Sequence, residues 1–179
     1  MNMSKGLVIY KSKYGATKKY AAMLKEELLC DVFESKSCQT VKMESYDWAI
    51  FAGGIYASGI SGLDVLRKNY KLLKNKKVAI FCVGASPFDE AALAEIKAHN
   101  LKEDLKGIPV FYGRGSWDED NMSWKDRTLC KMLQKAIAKK DINSCEPWMK
   151  ALLVATGQKC DWTDRNYLIP LLKYINSGT

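Results

Sequence analysis

The sequence predicts a three-layer α/β architecture: a parallel sheet covered by helices on both faces. Three observations point to it. Apolar runs such as Trp48-Ala49-Ile50-Phe51-Ala52 and Lys77-Val78-Ala79-Ile80-Phe81-Cys82-Val83 lack polar alternation, as strands buried on both faces require. Amphipathic segments separate the runs, the pattern of repeated βαβ units. Glycine follows the runs at Gly53, Gly84 and Gly113, where the chain leaves a strand towards a helix.

Taken in order, Leu7 to Lys11 is expected as the first strand. Lys18 to Leu29 is a helix with Tyr20, Ala21, Leu24 and Leu28 on one face. Asp31 to Glu34 reads as a short second strand. Trp48 to Ala52 is the third, ended by Gly53-Gly54, and Leu63 to Leu73 is helical. Lys77 to Val83 is the fourth strand. Phe88 to Ala98 is helical, and the loop before it either contacts a ligand or is an ordinary turn capped by Ser86 ahead of Pro87. Pro109 to Tyr112 is the fifth strand, ended by Gly113. Trp124 to Lys140 is a long amphipathic helix with Leu129, Met132, Leu133, Ala136 and Ile137 as its core face. Asp141 to Ser144 starts a linker, and Pro147 to Ala155 is a short helix.

At 179 residues the chain is expected to form one domain over residues 1–179, with 141–160 a variable segment before a C-terminal helix. Its 47% hydrophobic and 27% charged residues are those of a globular protein. No apolar run approaches the roughly 20 residues of a membrane-spanning helix. Met1-Asn2-Met3-Ser4 leads straight towards the first strand, so no leader and a cytoplasmic location are expected. The six cysteines form no C-x-x-C pair and read as reduced thiols, Cys82 as a small core residue. His99 is the single histidine, read as a surface residue, and no metal-ligand spacing surrounds it; no metal site is expected.

The net charge of +8 favours anionic partners. No aromatic platform or recognition motif accompanies it, so nucleic acid is not expected. Arg127, Lys131, Lys135 and Lys139 recur every fourth residue and make a basic stripe on the helix over 124–140. The stripe is either a solvated helix face or a peripheral contact with an anionic membrane.

Residues 7 to 17 carry the chemistry. A strand gives way to Ser12-Lys13-Tyr14-Gly15-Ala16-Thr17 and then to a helix. Helix-terminal N–H groups, hydroxyl donors and a glycine in that order build an anion cradle. The alternative is that Ser12 or Thr17 is an ordinary N-cap. The loop is neither a Walker A sequence nor a dinucleotide fingerprint, for it lacks Gly-Lys-Ser/Thr and G-x-G-x-x-G.

Ser12-x-Tyr14-Gly15-x-Thr17 resembles the flavodoxin phosphate loop, [ST]-x-[TY]-G-x-T, which holds the terminal phosphate of FMN. The resemblance implies a flavodoxin-like three-layer sandwich with strand order 2-1-3-4-5 and a ligand beyond the strand C-termini. Four loops would meet there. Ser12 to Thr17 would take the phosphate. Ile55, Tyr56 and Ala57 would flank the isoalloxazine ring, with Tyr56 stacked on it. Val83, Gly84, Ala85 and Ser86 would offer backbone groups to the pyrimidine edge. Gly113, Arg114, Gly115 and Trp117 would complete the wall, with Arg114 reaching phosphate or a flavin carbonyl.

Ser-Lys-Tyr-Gly-Ala-Thr, Gly-Gly-Ile-Tyr, Phe-Tyr-Gly-Arg-Gly, Met-Ser-Trp-Lys-Asp-Arg and the tail from Cys160 to Arg165 are together similar to the flavodoxin branch that includes menaquinone-dependent protoporphyrinogen IX dehydrogenase. Flavodoxins are usually acidic, and the +8 charge departs from that. The resemblance implies an FMN oxidoreductase of protoporphyrinogen/quinone type with its chemistry on the flavin and no catalytic side chain. Its redox partner would be a quinone, a porphyrinogen or an electron-transfer protein. It would be cytoplasmic, or peripheral at the inner membrane face. An electron-transfer flavodoxin and a cofactor-free interaction module are the alternatives.

Overall fold

The computed structural model describes residues 4–177. Met1 to Met3, on which the expectation of no leader partly rests, lie outside them. Five parallel strands form the main sheet: β1 (Gly6–Lys11), β2 (Asp31–Glu34), β3 (Trp48–Tyr56), β4 (Lys77–Gly84) and β5 (Val110–Arg114). They lie in the order β2-β1-β3-β4-β5, and the two-residue strand Gly59–Ile60 folds back antiparallel on the end of β3. Val8 is in register with Val32 and Ile50, Ile50 with Ala79, and Phe81 with Phe111.

Side chains alternate across this sheet and build two cores. Leu7, Ile9, Ala49, Phe51, Ile80 and Cys82 face α2 (Leu63–Leu73) and α3 (Glu90–Asn100). Val8, Ile50, Ala52, Ala79, Phe81 and Val83 face α1 (Ala16–Leu28) and the C-terminal α6 (Ile169–Asn176). Neighbouring residues are therefore both buried, which is why the strands read as continuous apolar runs. Each fully buried aliphatic side chain contributes about 1.5–3 kcal/mol.

Three strands run through the glycine expected to end them, β4 by the single residue Gly84. β3 continues through Gly53-Gly54 to Tyr56, and β5 through Gly113 to Arg114. Here glycine marks close approach, not termination. A Cβ on Gly53 would lie 1.9 Å from the Ser61 carbonyl oxygen, and one on Gly113 would lie 2.5 Å from the Phe81 ring. Asp89, not Ser86, caps α3, its carboxylate accepting from the Ala92 N–H at 2.8 Å. Helix α1 begins at Ala16 with Gly15 as its N-cap residue, so neither Ser12 nor Thr17 is the cap.

After β5 the chain leaves the sheet. β6 (Ser116–Asp118) pairs antiparallel with β7 (Lys159–Asp161), and between them lie α4 (Trp124–Ile137) and α5 (Pro147–Val154). Helix α4 packs against α5 and ends at Ile137, short of Lys140. Its expected core face is corrected: Ile137 is buried, but Leu129, Met132, Leu133 and Ala136 are exposed. The β6–β7 ribbon carries α4 off the sheet, so its apolar stripe turns to the strand-end edge and solvent. Among the described residues no helix is long and apolar enough to cross a membrane.

Candidate functional site

All four expected loops meet at the C-terminal edge of the sheet, around a cavity of about 720 Å³. That volume lies within the roughly 300–1,000 Å³ usual for ligand and cofactor sites. Ser12, Tyr14, Ala16 and Thr17 line it from the loop after β1. Ile55, Tyr56 and Ala57 come from the end of β3, Val83, Gly84 and Ala85 from β4, and Gly115 and Trp117 from beyond β5.

The loop after β1 is built for an anion. Gly15 has φ +96°, a left-handed turn that glycine adopts freely. Its N–H donates to Ser12 Oγ at 3.1 Å. The first hydrogen bond of α1 runs from Lys19 N–H to the Gly15 carbonyl at 3.0 Å. The amides of Ala16, Thr17 and Lys18 thus precede the closed turn, no side chain caps them, and no acid occupies the first turn. A positive helix terminus with open donors suits a phosphate.

Aromatic side chains on the same cavity suit a flat ring. Tyr56 meets Tyr14 edge to face, with ring centroids 6.4 Å apart. Burial raises the Tyr56 hydroxyl above its usual range, so it is neutral at pH 7. Trp117 is 8% exposed, and its indole N–H donates to Glu119 Oε1 at 3.2 Å. Glu119 also accepts from Gln134 Nε2 at 2.9 Å and from the Gly157 N–H at 3.3 Å. One carboxylate thereby ties the wall tryptophan to α4 and to the turn after α5. Those hydrogen bonds, Gln134 first, hold Glu119 below the ordinary carboxylate range.

Five expected residues are not on this wall. Lys13 is not among the lining residues but pairs with one, Asp126 of α4, and its ammonium lies 5.7 Å from the Tyr56 ring centroid. Gly15 shapes the loop through its left-handed φ. Ser86 faces a second cavity. Gly113 sits within β5 beneath Phe81. Arg114 is engaged elsewhere: its Nε donates to the Ala85 carbonyl at 3.0 Å, and its guanidinium lies 3.8 Å from the Trp162 ring centroid. Arg114 therefore braces the loop after β4 against the C-terminal segment.

Helix α4 supplies the wall that sequence reasoning missed. Asp126, Leu129, Cys130, Met132 and Leu133 line the cavity with Met122, and Gly54 and Ser116 add to its margins. The apolar stripe was visible in the sequence but read as core, because periodicity does not say what a face covers. Asp126 accepts from Lys13 Nζ and from Tyr14 Oη, and these bonds, Lys13 first, hold its carboxyl below the ordinary range. Arg127 donates to the carbonyls of Glu119 at 2.7 Å and Asp120 at 2.6 Å, so it is withdrawn from the basic stripe. Burial raises the Cys130 thiol, which stays protonated at neutral pH. Among the described residues no group of ligating side chains could hold a metal ion.

Several solved structures are similar in shape. The rubredoxin oxygen:oxidoreductase of Desulfovibrio gigas matches with 16% identity and TM-score 0.43 over 86% of this chain, which spans only 37% of that longer protein. A flavodoxin, WrbA-like protein from Agrobacterium tumefaciens matches with 18% identity and TM-score 0.45, over 69% of this chain and 88% of its own. A flavoprotein in complex with FMN from Lactobacillus acidophilus matches with 16% identity and TM-score 0.44, over 62% and 92%. No curated protein matches significantly. The flavodoxin-domain family model matches residues 7–144, from the first strand past the end of α4, and with this span the chain belongs to the flavodoxin-domain family.

Proposed function

We propose that the strand-end cavity binds FMN and that the protein is an FMN-dependent oxidoreductase. The observation that carries this reading is a single cavity lined both by the open N-terminus of α1 and by apolar and aromatic side chains. Ser12, Thr17 and the amides of Ala16 to Lys18 would hold the phosphate. Tyr56, Trp117 and the backbone of Val83 to Ala85 would hold the ring. Bound FMN supplies hydride or single-electron transfer. The protein's own contribution is to anchor, orient and dry that ring, with Leu129, Met132 and Leu133 of α4 narrowing the access of water.

The finer reading, a dehydrogenase of protoporphyrinogen/quinone type, rests on the motif resemblance. One feature supports it: Asp126 and Arg127 of Ser-Trp-Lys-Asp-Arg hold α4 across the cavity, which gives that motif a local role. As partner surface we propose the exposed face of α4 around the mouth of the cavity, which Leu129 and Met132 also line. Trp124, Leu129 and Met132 are 72%, 61% and 64% exposed and lie on the same helix as Lys125, Lys131 and Lys135. Apolar side chains flanked by lysines suit the cytoplasmic face of an anionic bilayer.

Purified protein is expected to be yellow and to release one FMN per chain on denaturation. A colourless protein that added FMN cannot reconstitute overturns the flavin reading.

A further inference from the structure

The hairpin that carries Tyr56 turns with an unusual backbone. Ile55 and Tyr56 at the end of β3 pair with Ile60 and Gly59, so Ala57 and Ser58 alone make the turn. Both are left-handed, with φ +46° and +64°. A hairpin turn of this hand is ordinarily built from Asn-Gly, Asp-Gly or Gly-Gly, because most side chains at positive φ crowd their own backbone. Alanine and serine do not favour it by themselves. Strained backbone of this kind persists where its surroundings over-determine it.

The decisive surrounding is one buried side chain. Asn100, the last residue of α3, is 5% exposed. Its Nδ2 donates to the Ser58 carbonyl at 2.6 Å and to the Ile96 carbonyl at 2.8 Å, and its Oδ1 accepts from the Ile60 N–H at 2.8 Å. The carboxamide thus grips the turn and the strand that follows it. It is itself fixed: both Nδ2 protons are engaged, and Arg67 of α2 donates to the Asn100 backbone carbonyl at 3.0 Å. The returning strand is pinned as well, the Ser61 N–H donating to the Gly54 carbonyl at 2.9 Å. Ile55, Tyr56 and Ala57 line the main cavity, whereas Asn100 does not.

We propose that Asn100 is the positioning residue of the flavin's ring wall, locking the Ala57-Ser58 turn so that Tyr56 and Ala57 are set before the ring arrives. Released from the left-handed region, the turn would carry both residues off the wall. A wall set in advance spares binding the cost of ordering it. The anion-binding loop comes from β1, so releasing the turn weakens the hold on the ring and not on the phosphate. The proposal rests on the flavin reading.

The test compares FMN with riboflavin, the same ring without the phosphate, by titration of the full chain stripped of any bound flavin. Asn100→Ala should weaken both by the same factor, about tenfold, leaving the ratio of the two affinities within about twofold of wild type. Ser58→Gly, added to Asn100→Ala, should recover about threefold of that loss for both flavins, because glycine takes the left-handed turn without help. Unchanged binding in Asn100→Ala overturns the proposal, as does a loss confined to FMN, a loss that Ser58→Gly does not recover, or a wild type that binds FMN but not riboflavin. If Asn100→Ala does not fold, Ser58→Val strains the same turn with Asn100 in place. An equal loss of about threefold for both flavins is then expected, and unchanged binding overturns the proposal. Amide exchange of residues 56–61 in flavin-free protein gives a separate readout, which Asn100→Ala should speed about fivefold. A wild type that binds neither flavin, with that exchange still speeded in Asn100→Ala, overturns the flavin reading and upholds the clamp. Unchanged exchange overturns the clamp itself.

Discussion

Asp126 accepts from both Lys13 and Tyr14, so one side chain of α4 grips two consecutive residues of the anion-binding loop. The hydrogen bonds hold Asp126 below the ordinary carboxylate value of about 3.9 and raise Lys13 above its ordinary value of about 10.4. For the lowered carboxyl, the contribution is present above its unfolded value and lost as pH falls through the folded one. For the raised lysine, it is present below the unfolded value and lost as pH rises through the folded one. The clasp is therefore intact from about pH 4 to about pH 10. Asp126→Asn at neutral pH should speed amide exchange in the first turns of α4 several-fold while changing global stability by less than about 1 kcal/mol, because the pair is partly exposed. Hydrogen exchange with mass spectrometry reads the first, and urea unfolding reads the second. Unchanged exchange in α4 would show that other contacts hold the helix. Sequence spacing could not reveal this clasp, since Lys13 and Asp126 are 113 residues apart.

Among the elements, α1, β5 and the C-terminal segment meet at Tyr20. Its ring packs on Phe81 with centroids 4.9 Å apart, and its hydroxyl donates to the Arg114 carbonyl at 2.6 Å and accepts from the Asp164 N–H at 3.2 Å. Tyr20→Phe keeps the packing and orphans both backbone groups, at a cost of about 1–3 kcal/mol in denaturant unfolding. Burial pushes the Tyr20 hydroxyl up to about 12. Its folded value exceeds the unfolded value of about 10, so its contribution is present below about pH 10 and lost as pH rises towards 12. The alkaline decline in stability should be shallower in Tyr20→Phe, though not abolished, because Tyr46 is also raised to about 12 by burial. A decline equal in both proteins would remove Tyr20 from the explanation. At this scale the strands were legible because burial on both faces leaves an apolar run. Their ends were not: Gly53 and Gly113 read as breakers and proved to be close contacts within strands. Helix α4 was legible as a helix, but its partner was not, because an apolar stripe carries no record of what it covers.

The whole molecule combines a positive net charge with an apolar, lysine-flanked helix surface. Binding to vesicles containing anionic lipid should be measurable by sedimentation and should weaken as salt rises, because exposed charges are screened within about 10 Å at 0.1 M ionic strength. Lys131→Glu with Lys135→Glu should reduce binding more than tenfold, given about 1 kcal/mol per basic group near such a surface. Salt-independent absence of binding would count against the membrane surface. By itself the sequence determined the sheet, its helical layers and the four loops that meet at its edge. Those depend on local periodicity and on turns that glycine permits. Tertiary structure alone decided that Arg114 braces a loop, that Lys13 is paired across the chain and that α4 walls the cavity. These depend on which distant segments share space, and that follows from the β6–β7 ribbon drawing residues 116–161 off the sheet, not from the pattern of any one segment.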